Sequence, residues 1–206
     1  MKRNQYTLGK PISFKGNGLH SGIPVTITMR PAPAGSGIIF RRIDLTGAPE
    51  VPAKSEFVTN TLRATTLERG GAKVFTVEHI LSALFALRID NCILEMDAPE
   101  PPVADGGALT FSQMILEAGI MELEEQTDIL TLETSVAVYE DNKFITALPY
   151  DGLRITFTSI NPHPLLGTQM KDFTIDKETY IREIAPSRTI GFTWELEAMR
   201  QMGLGK

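Results

Sequence analysis

The chain has 206 residues, of which 42% are hydrophobic and 22% charged. That is enough apolar material for one large or two small compact domains, and it excludes wholesale disorder. The formal net charge of -5, with 20 Lys and Arg scattered along the sequence, offers no basic footprint for a phosphate backbone and excludes nucleic acid as an expected partner.

The amino terminus, Met1 to Tyr6, lacks the apolar stretch of a secretory signal, and no later run is long enough to span a bilayer. A cytoplasmic protein with no transmembrane segment is the expectation. The single cysteine, Cys92, has no internal disulfide partner, and its setting in Asn91-Cys92-Ile93-Leu94 reads as a buried strand position, which fits a reducing compartment.

The first 70 or so residues read as short strands joined by turns. Val25 to Met29 alternates apolar and polar residues, Gly37 to Phe40 gives a second apolar run, and Gly70-Gly71 supplies a hairpin turn before Val74 and Phe75. The strongest helical pattern comes next, with Val77, Ile80, Leu81, Leu84 and Leu87 at helical spacing and Thr76 as the expected N-cap. A strand over Ile93–Met96 succeeds it. The Pro-rich stretch from Ala98 to Gly107 then leads into a helix over 108–117, with Gly119 as its stop.

Glu122, Glu124 and Glu125 mark a shift in composition. A domain boundary is placed there, giving an N-terminal α+β domain over 1–121, a linker over 122–128 and a partial second α+β domain over 129–206. Strands are expected over Leu130–Val138, Phe144–Leu148 and Leu153–Ile160, with Asp151-Gly152 as the hairpin turn between the last two. Helices are expected around 178–184 and 192–202. Both halves run strands first and helices later, which suggests two similar α+β layers. The first core is predicted to hold Val77, Ile80, Leu81, Leu84, Ile93, Leu94, Phe111 and Ile115.

The three histidines, His20, His79 and His163, have no spacing partner: positions 24, 83 and 167 are Pro24, Ala83 and Gly167. Spacing alone therefore declares no metal site. Glu78-His79 falls in the first turn of the strongest helix, where free N–H groups favour a carboxylate or an anion, and His79 shares a stripe with the small residues Ser82, Ala83 and Ala86. On patterning alone the same pair reads as a carboxylate complementing the helix dipole beside an interior histidine. Gly16 to Gly22 is glycine-rich, but it precedes a strand, so it reads as a tight turn and not a dinucleotide cradle. Ser187-Arg188-Thr189 offers a hydroxyl beside a guanidinium.

Taken in order, Gly16-Asn17-Gly18-Leu19-His20-Ser21-Gly22, Thr76-Val77-Glu78-His79-Ile80-Leu81-Ser82-Ala83-Leu84, Ile89-Asp90-Asn91, Asp105-Gly106 and Ser187-Arg188-Thr189-Ile190-Gly191-Phe192 resemble the UDP-3-O-acyl-N-acetylglucosamine deacetylases of Gram-negative lipid A synthesis. The resemblance runs from about Tyr6 to Lys206. It implies two similar layered domains of the ribosomal protein S5 domain 2-like type, the second incomplete, a Zn2+ cofactor, and a monomer when full length. It also implies that His79 is one of three zinc ligands and that Glu78 is the general base for the attacking water. Thr189 would stabilise the oxyanion, Asp105 would orient groups around the metal, and Lys143 and His20 would contact the substrate.

One departure is Ile190, which stands where many members have an aromatic residue. The family's other two zinc ligands, in a His-x-x-x-Asp pattern, and its later general-acid His come from beyond Lys206, so the chain is expected to be a C-terminally truncated portion of such an enzyme. The competing expectation is a non-catalytic α+β module that binds a nucleotide-sugar or a protein partner.

Overall fold

The computed structural model describes residues 2–205. Strands β1 (Lys2–Leu8), β2 (Ile12–Asn17), β3 (Pro24–Pro31), β4 (Ile38–Arg42) and β5 (Glu50–Pro52) open the chain, followed by β6 (Val58–Asn60), β7 (Thr66–Arg69) and β8 (Ala72–Phe75). Helix α1 (Glu78–Ala86), β9 (Cys92–Met96), α2 (Leu109–Ala118) and β10 (Ile120–Asp128) complete the packed part of the fold. A five-stranded sheet runs in the order β2-β3-β9-β4-β5, in which β9 is antiparallel to β3 and parallel to β4. The architecture is α+β, as the sequence pattern indicates.

The pleat of β9 explains the core. Cys92, Leu94 and Met96 face inward and are fully buried, whereas Ile93 sits on the opposite face and is half-buried. Val77, Ile80, Leu84, Phe111 and Ile115 join them in one cluster, and Leu81 packs at its margin. Of the eight expected core residues, Ile93 is thus the one turned out of the cluster by strand alternation.

Burial pushes the Cys92 thiol up to about 12. The thiolate fraction at pH 8 is then on the order of 10⁻⁴, because only the ionised form is nucleophilic. Cys92 is therefore expected to resist a thiol reagent in the native protein and to label fully in denaturant, and a stopped-flow labelling time course checks this.

Gly70 and Gly71 both have positive φ and turn β7 into β8, as the left-handed geometry of a two-residue hairpin requires. The acidic stretch 122–128, read from sequence as a linker, is strand here: β10 pairs antiparallel with β1 from Lys2↔Asp128 to Leu8↔Ile120. The Ile89-Asp90-Asn91 motif fastens this ribbon to the sheet. Asp90 accepts a two-pronged bond from the Arg3 guanidinium at 2.6 and 2.7 Å and one from Tyr6 N–H, while Asn91 bonds Gly37 N–H and Gln5.

Two further hairpins come after it, β11 (Val136–Glu140) with β12 (Lys143–Ala147) and β13 (Arg154–Ile160) with β14 (Thr168–Thr174). Two sequence expectations are corrected. The strand expected over Leu130–Val138 begins only at Val136, and Asp151-Gly152 links one hairpin to the next instead of turning β12 into β13, because β13 pairs with β14. A short α3 (Lys177–Thr179), capped by the Asp176 carboxylate, runs into a π-helical turn over Tyr180–Ile184, and α4 (Leu196–Gln201) follows a 3-10 turn at Thr193–Glu195. Among the described residues no helix is long and apolar enough to cross a membrane.

Candidate active site

Helix α1 starts in an unusual way. Thr76 is the N-cap expected from sequence, yet its φ is +57° and its hydroxyl donates instead to Glu100 Oε1 at 2.7 Å, so Val77 occupies the cap with no side-chain bond. Left-handed backbone at a β-branched residue is strained and persists only where surroundings fix it. Here the fixing group is Glu100, fully buried, whose carboxylate also accepts from His20 N–H at 3.0 Å and Ser21 N–H at 2.8 Å. The glycine-rich turn and the start of α1 are therefore held on one buried carboxylate. Gly18 is required at this point, since a Cβ there would overlap the Glu100 carboxylate and the Ser21 hydroxyl.

The strain at Thr76 sets Glu78 and His79 at the mouth of the helix. Both line a cavity of about 300 Å³, with Ser82 one turn along, Ala108 at the head of α2, and Tyr180, Ile184 and Ser187 from the later segment. Thr65 N–H donates to Glu78 Oε2 at 3.1 Å and orients that carboxylate. Opposite, the Tyr180 hydroxyl meets Ser82 Oγ at 2.8 Å, and burial pushes the Tyr180 phenol above its usual range.

Segment 185–189 is pressed against the Pro-rich loop by backbone bonds. Ala108 N–H donates to Ala185 O at 3.0 Å and Thr189 N–H to Gly106 O at 2.9 Å. A Cβ on Gly107 would come within 2.8 Å of Ser187 O and 2.9 Å of Ala185 O, so only glycine admits this approach.

The structure thus brings Glu78 and His79 into one cavity beside the 184–187 segment. Thr189 lies two residues past Ser187, anchored by its own N–H, with its side chain exposed. Asp105 faces the first turn of α2, where its Oδ1 accepts from the Thr110 hydroxyl at 3.1 Å. Lys143 is exposed at the start of β12 and lines neither cavity. His20 is buried and lines a second cavity, of about 420 Å³, with Leu62, Phe75 and Met202 among its walls.

Two contributors escape sequence reasoning. Glu100 lies in the Pro-rich stretch that reads only as a connection into α2, and its one signal is an acid between prolines. Tyr180 falls within the helix expected over 178–184, but nothing marks it as the buried member.

The donor chemistry fits part of a catalytic zinc site. His79 offers a half-buried imidazole to the cavity beside a carboxylate, but among the described residues no three His, Cys, Asp or Glu side chains are grouped for a metal. A catalytic zinc takes three protein ligands. The residues present therefore fit one ligand and not a whole site.

The profile of the UDP-3-O-acyl N-acetylglycosamine deacetylase family matches residues 5–206. The chain belongs to that family. It is 42% identical over 203 residues to the UDP-3-O-acyl-N-acetylglucosamine deacetylase of Myxococcus xanthus, covering 98% of this chain and 65% of that protein. It is 41% identical over 204 residues to the enzyme of the same name from Legionella pneumophila strain Corby, covering 98% and 67%. It is 43% identical over 206 residues to the bifunctional enzyme LpxC/FabZ of Chlorobaculum tepidum, covering 98% and 44%. The chain spans about two thirds of the deacetylases it matches and less than half of the bifunctional protein.

Proposed function

We propose that this chain forms the larger part of a zinc-dependent amide hydrolase that removes the N-acetyl group of UDP-3-O-acyl-N-acetylglucosamine in lipid A synthesis, in the cytoplasm of a Gram-negative bacterium. The observation that carries this reading is the placement of Glu78 and His79, in a chain of this family, on the wall of one cavity roofed by the 184–187 segment. Zinc, when bound, would lower the pKa of a water and polarise the acetamide carbonyl.

The setting supports the tasks of Glu78 and His79 directly, and the family resemblance supplies those of the other residues. His79 supplies one imidazole ligand. Glu78, with Oε2 engaged by Thr65 N–H, keeps Oε1 to accept the proton of the attacking water. The Thr189 hydroxyl, its backbone fixed on Gly106, stabilises the developing oxyanion. Asp105 acts at one remove, bracing the start of α2 and so the strip 106–108 on which Thr189 rests. Lys143 and His20 meet the substrate outside the reacting centre. In the same reading the chain divides near residues 121–128 into two layers of the ribosomal protein S5 domain 2-like type, and the complete enzyme is a monomer.

Ligand arithmetic sets the test. A polypeptide of these 206 residues alone is expected to release no acetate from UDP-3-O-acyl-N-acetylglucosamine and to hold zinc weakly, since three ligands are needed. The same polypeptide continued by the C-terminal third of the Myxococcus relative is expected to release acetate with zinc bound. Tight stoichiometric zinc and turnover in the 206-residue polypeptide would overturn the ligand arithmetic. Nucleotide-sugar binding without acetate release by the extended one would favour the non-catalytic module.

A further inference from the structure

The loop between β6 and β7 is tied at three points. Asn60 Oδ1 accepts from Leu62 N–H at 2.7 Å, Thr65 N–H reaches Glu78, and the Arg63 guanidinium reaches across to Glu195 with bonds of 2.5 and 3.3 Å. Arg63 itself has φ +60°, a conformation costly for a residue with a Cβ and kept only where something holds it. The pair is two-pronged, which gives an Arg–carboxylate bond its directional strength, and the guanidinium holds the Glu195 carboxyl below its usual range.

Glu195 also organises the segment on its C-terminal side. Its Oε2 accepts from Phe192 N–H at 3.3 Å, closing the Thr193–Glu195 turn from which α4 departs. Beyond α4, Met202 and Leu204 return to form one wall of the second cavity. His20, which also lines it, is 4% exposed, and among the described residues neither of its ring nitrogens has a partner. Buried polar atoms without partners are rare, and each one calls for an explanation.

We propose that Arg63 is a positioning residue whose ion pair with Glu195 fastens the segment Phe192–Leu204 as a strap across the cavity over His20. The pair lies between the strap's backbone anchor at Thr189 and its apolar end at Met202 and Leu204. Releasing it leaves the middle of the strap without its link to the β6–β7 loop. Ordinary exposed ion pairs contribute little, and this one differs in its geometry and in the backbone conformation it accompanies.

Trp194, the single tryptophan, sits next to Glu195 and reports on the strap. Its ring stacks on Phe192 at 4.4 Å and on His163, which belongs to the β13–β14 loop, at 5.7 Å. The test uses the 206-residue chain and Trp194 emission with acrylamide quenching. Arg63→Gly keeps the left-handed backbone easy while deleting the guanidinium, and Glu195→Gln keeps an acceptor for Phe192 N–H while deleting the charge. Trp194 is 57% exposed and shielded mainly by the Phe192 and His163 stacks, so each substitution is expected to raise quenching clearly and move emission only slightly to longer wavelength. The double variant is expected to go no further than the larger single effect, and Arg63→Lys, which keeps the charge but cannot make the two-pronged bond, to retain only part of the parent signal.

Unchanged emission and quenching in Arg63→Gly, or additive effects in the double variant, would overturn the proposal. Continued protection of Cys92 from thiol reagents shows that the core has survived each substitution. If Arg63→Gly exposes Cys92, Arg63→Gln carries the same comparison. The readout needs no deacetylation, so its failure leaves the proposed activity standing, and the reverse also holds.

Discussion

Replacing Glu100 by alanine is expected to be the most destabilising single change in the molecule outside its apolar core. The substitution strands three donors, the N–H groups of His20 and Ser21 and the Thr76 hydroxyl, of which His20 and Thr76 belong to buried residues. Each buried donor left without an acceptor costs about 1–3 kcal/mol, and water entering the vacated space offsets part, so a total of about 3–5 kcal/mol is expected. For a chain of this length that is a fall in melting temperature of roughly 6–20 °C.

Glu100→Gln should fall between. An amide oxygen in place of Oε1 still serves Thr76 and His20, but its NH₂ then faces Ser21 N–H. Calorimetry on the three proteins decides the matter, and an alanine variant that melts with the parent would show that the carboxylate holds nothing together. The expected secondary effect is local: without Glu100 the strained φ at Thr76 loses its support, and Glu78 should shift in the cavity.

Local pattern in the sequence is a good guide wherever contacts are local. The α1 stripe, the Gly70-Gly71 turn, the buried Cys92 strand and the Gly119 stop are all legible, because helical spacing, left-handed turn geometry and strand alternation act over a few residues. The features that escape depend on partners far along the chain. Thr76 reads as an N-cap until Glu100, 24 residues later, takes its hydroxyl. The acidic stretch at 122–128 reads as a linker, yet it pairs with β1 more than a hundred residues earlier. β13 reads as a partner for β12 until β14, which carries no signal, claims it.

The candidate site divides along the same line. Glu78 and His79 are marked by helix position, whereas Tyr180 and Ser187 enter the cavity only because the close approach at Gly107 folds their segment over α1 and α2. These distant pieces are joined at the level of sequence by the ordered set of motifs, not by the spacing within any one of them.

The sharpest separation of roles is expected between the two neighbours at the head of α1, in the polypeptide extended by the C-terminal third of a relative. Glu78→Ala should lower kcat by about 10²–10⁴-fold, the range for loss of a general base, with zinc content nearly unchanged. The reason is positional: Glu78 is held by Thr65 N–H as a proton acceptor and is assigned no bond to the metal. His79→Ala should do both kinds of harm, since removing a ligand leaves zinc on two, and even loss of a group that merely orients a ligand weakens binding about 10–100-fold.

Metal analysis after dialysis and initial rates, taken on the same preparations, read the two effects independently. Added zinc should partly restore His79→Ala and leave Glu78→Ala unchanged, because only the first defect is one of occupancy. If Glu78→Ala also lost its zinc, the carboxylate would be a ligand; if His79→Ala kept tight zinc, the imidazole would not be one. Both residues line the same cavity within one turn of helix, so a simple collapse of the site would affect them alike. The contrast between them is the one that a base and a ligand, placed side by side, must produce.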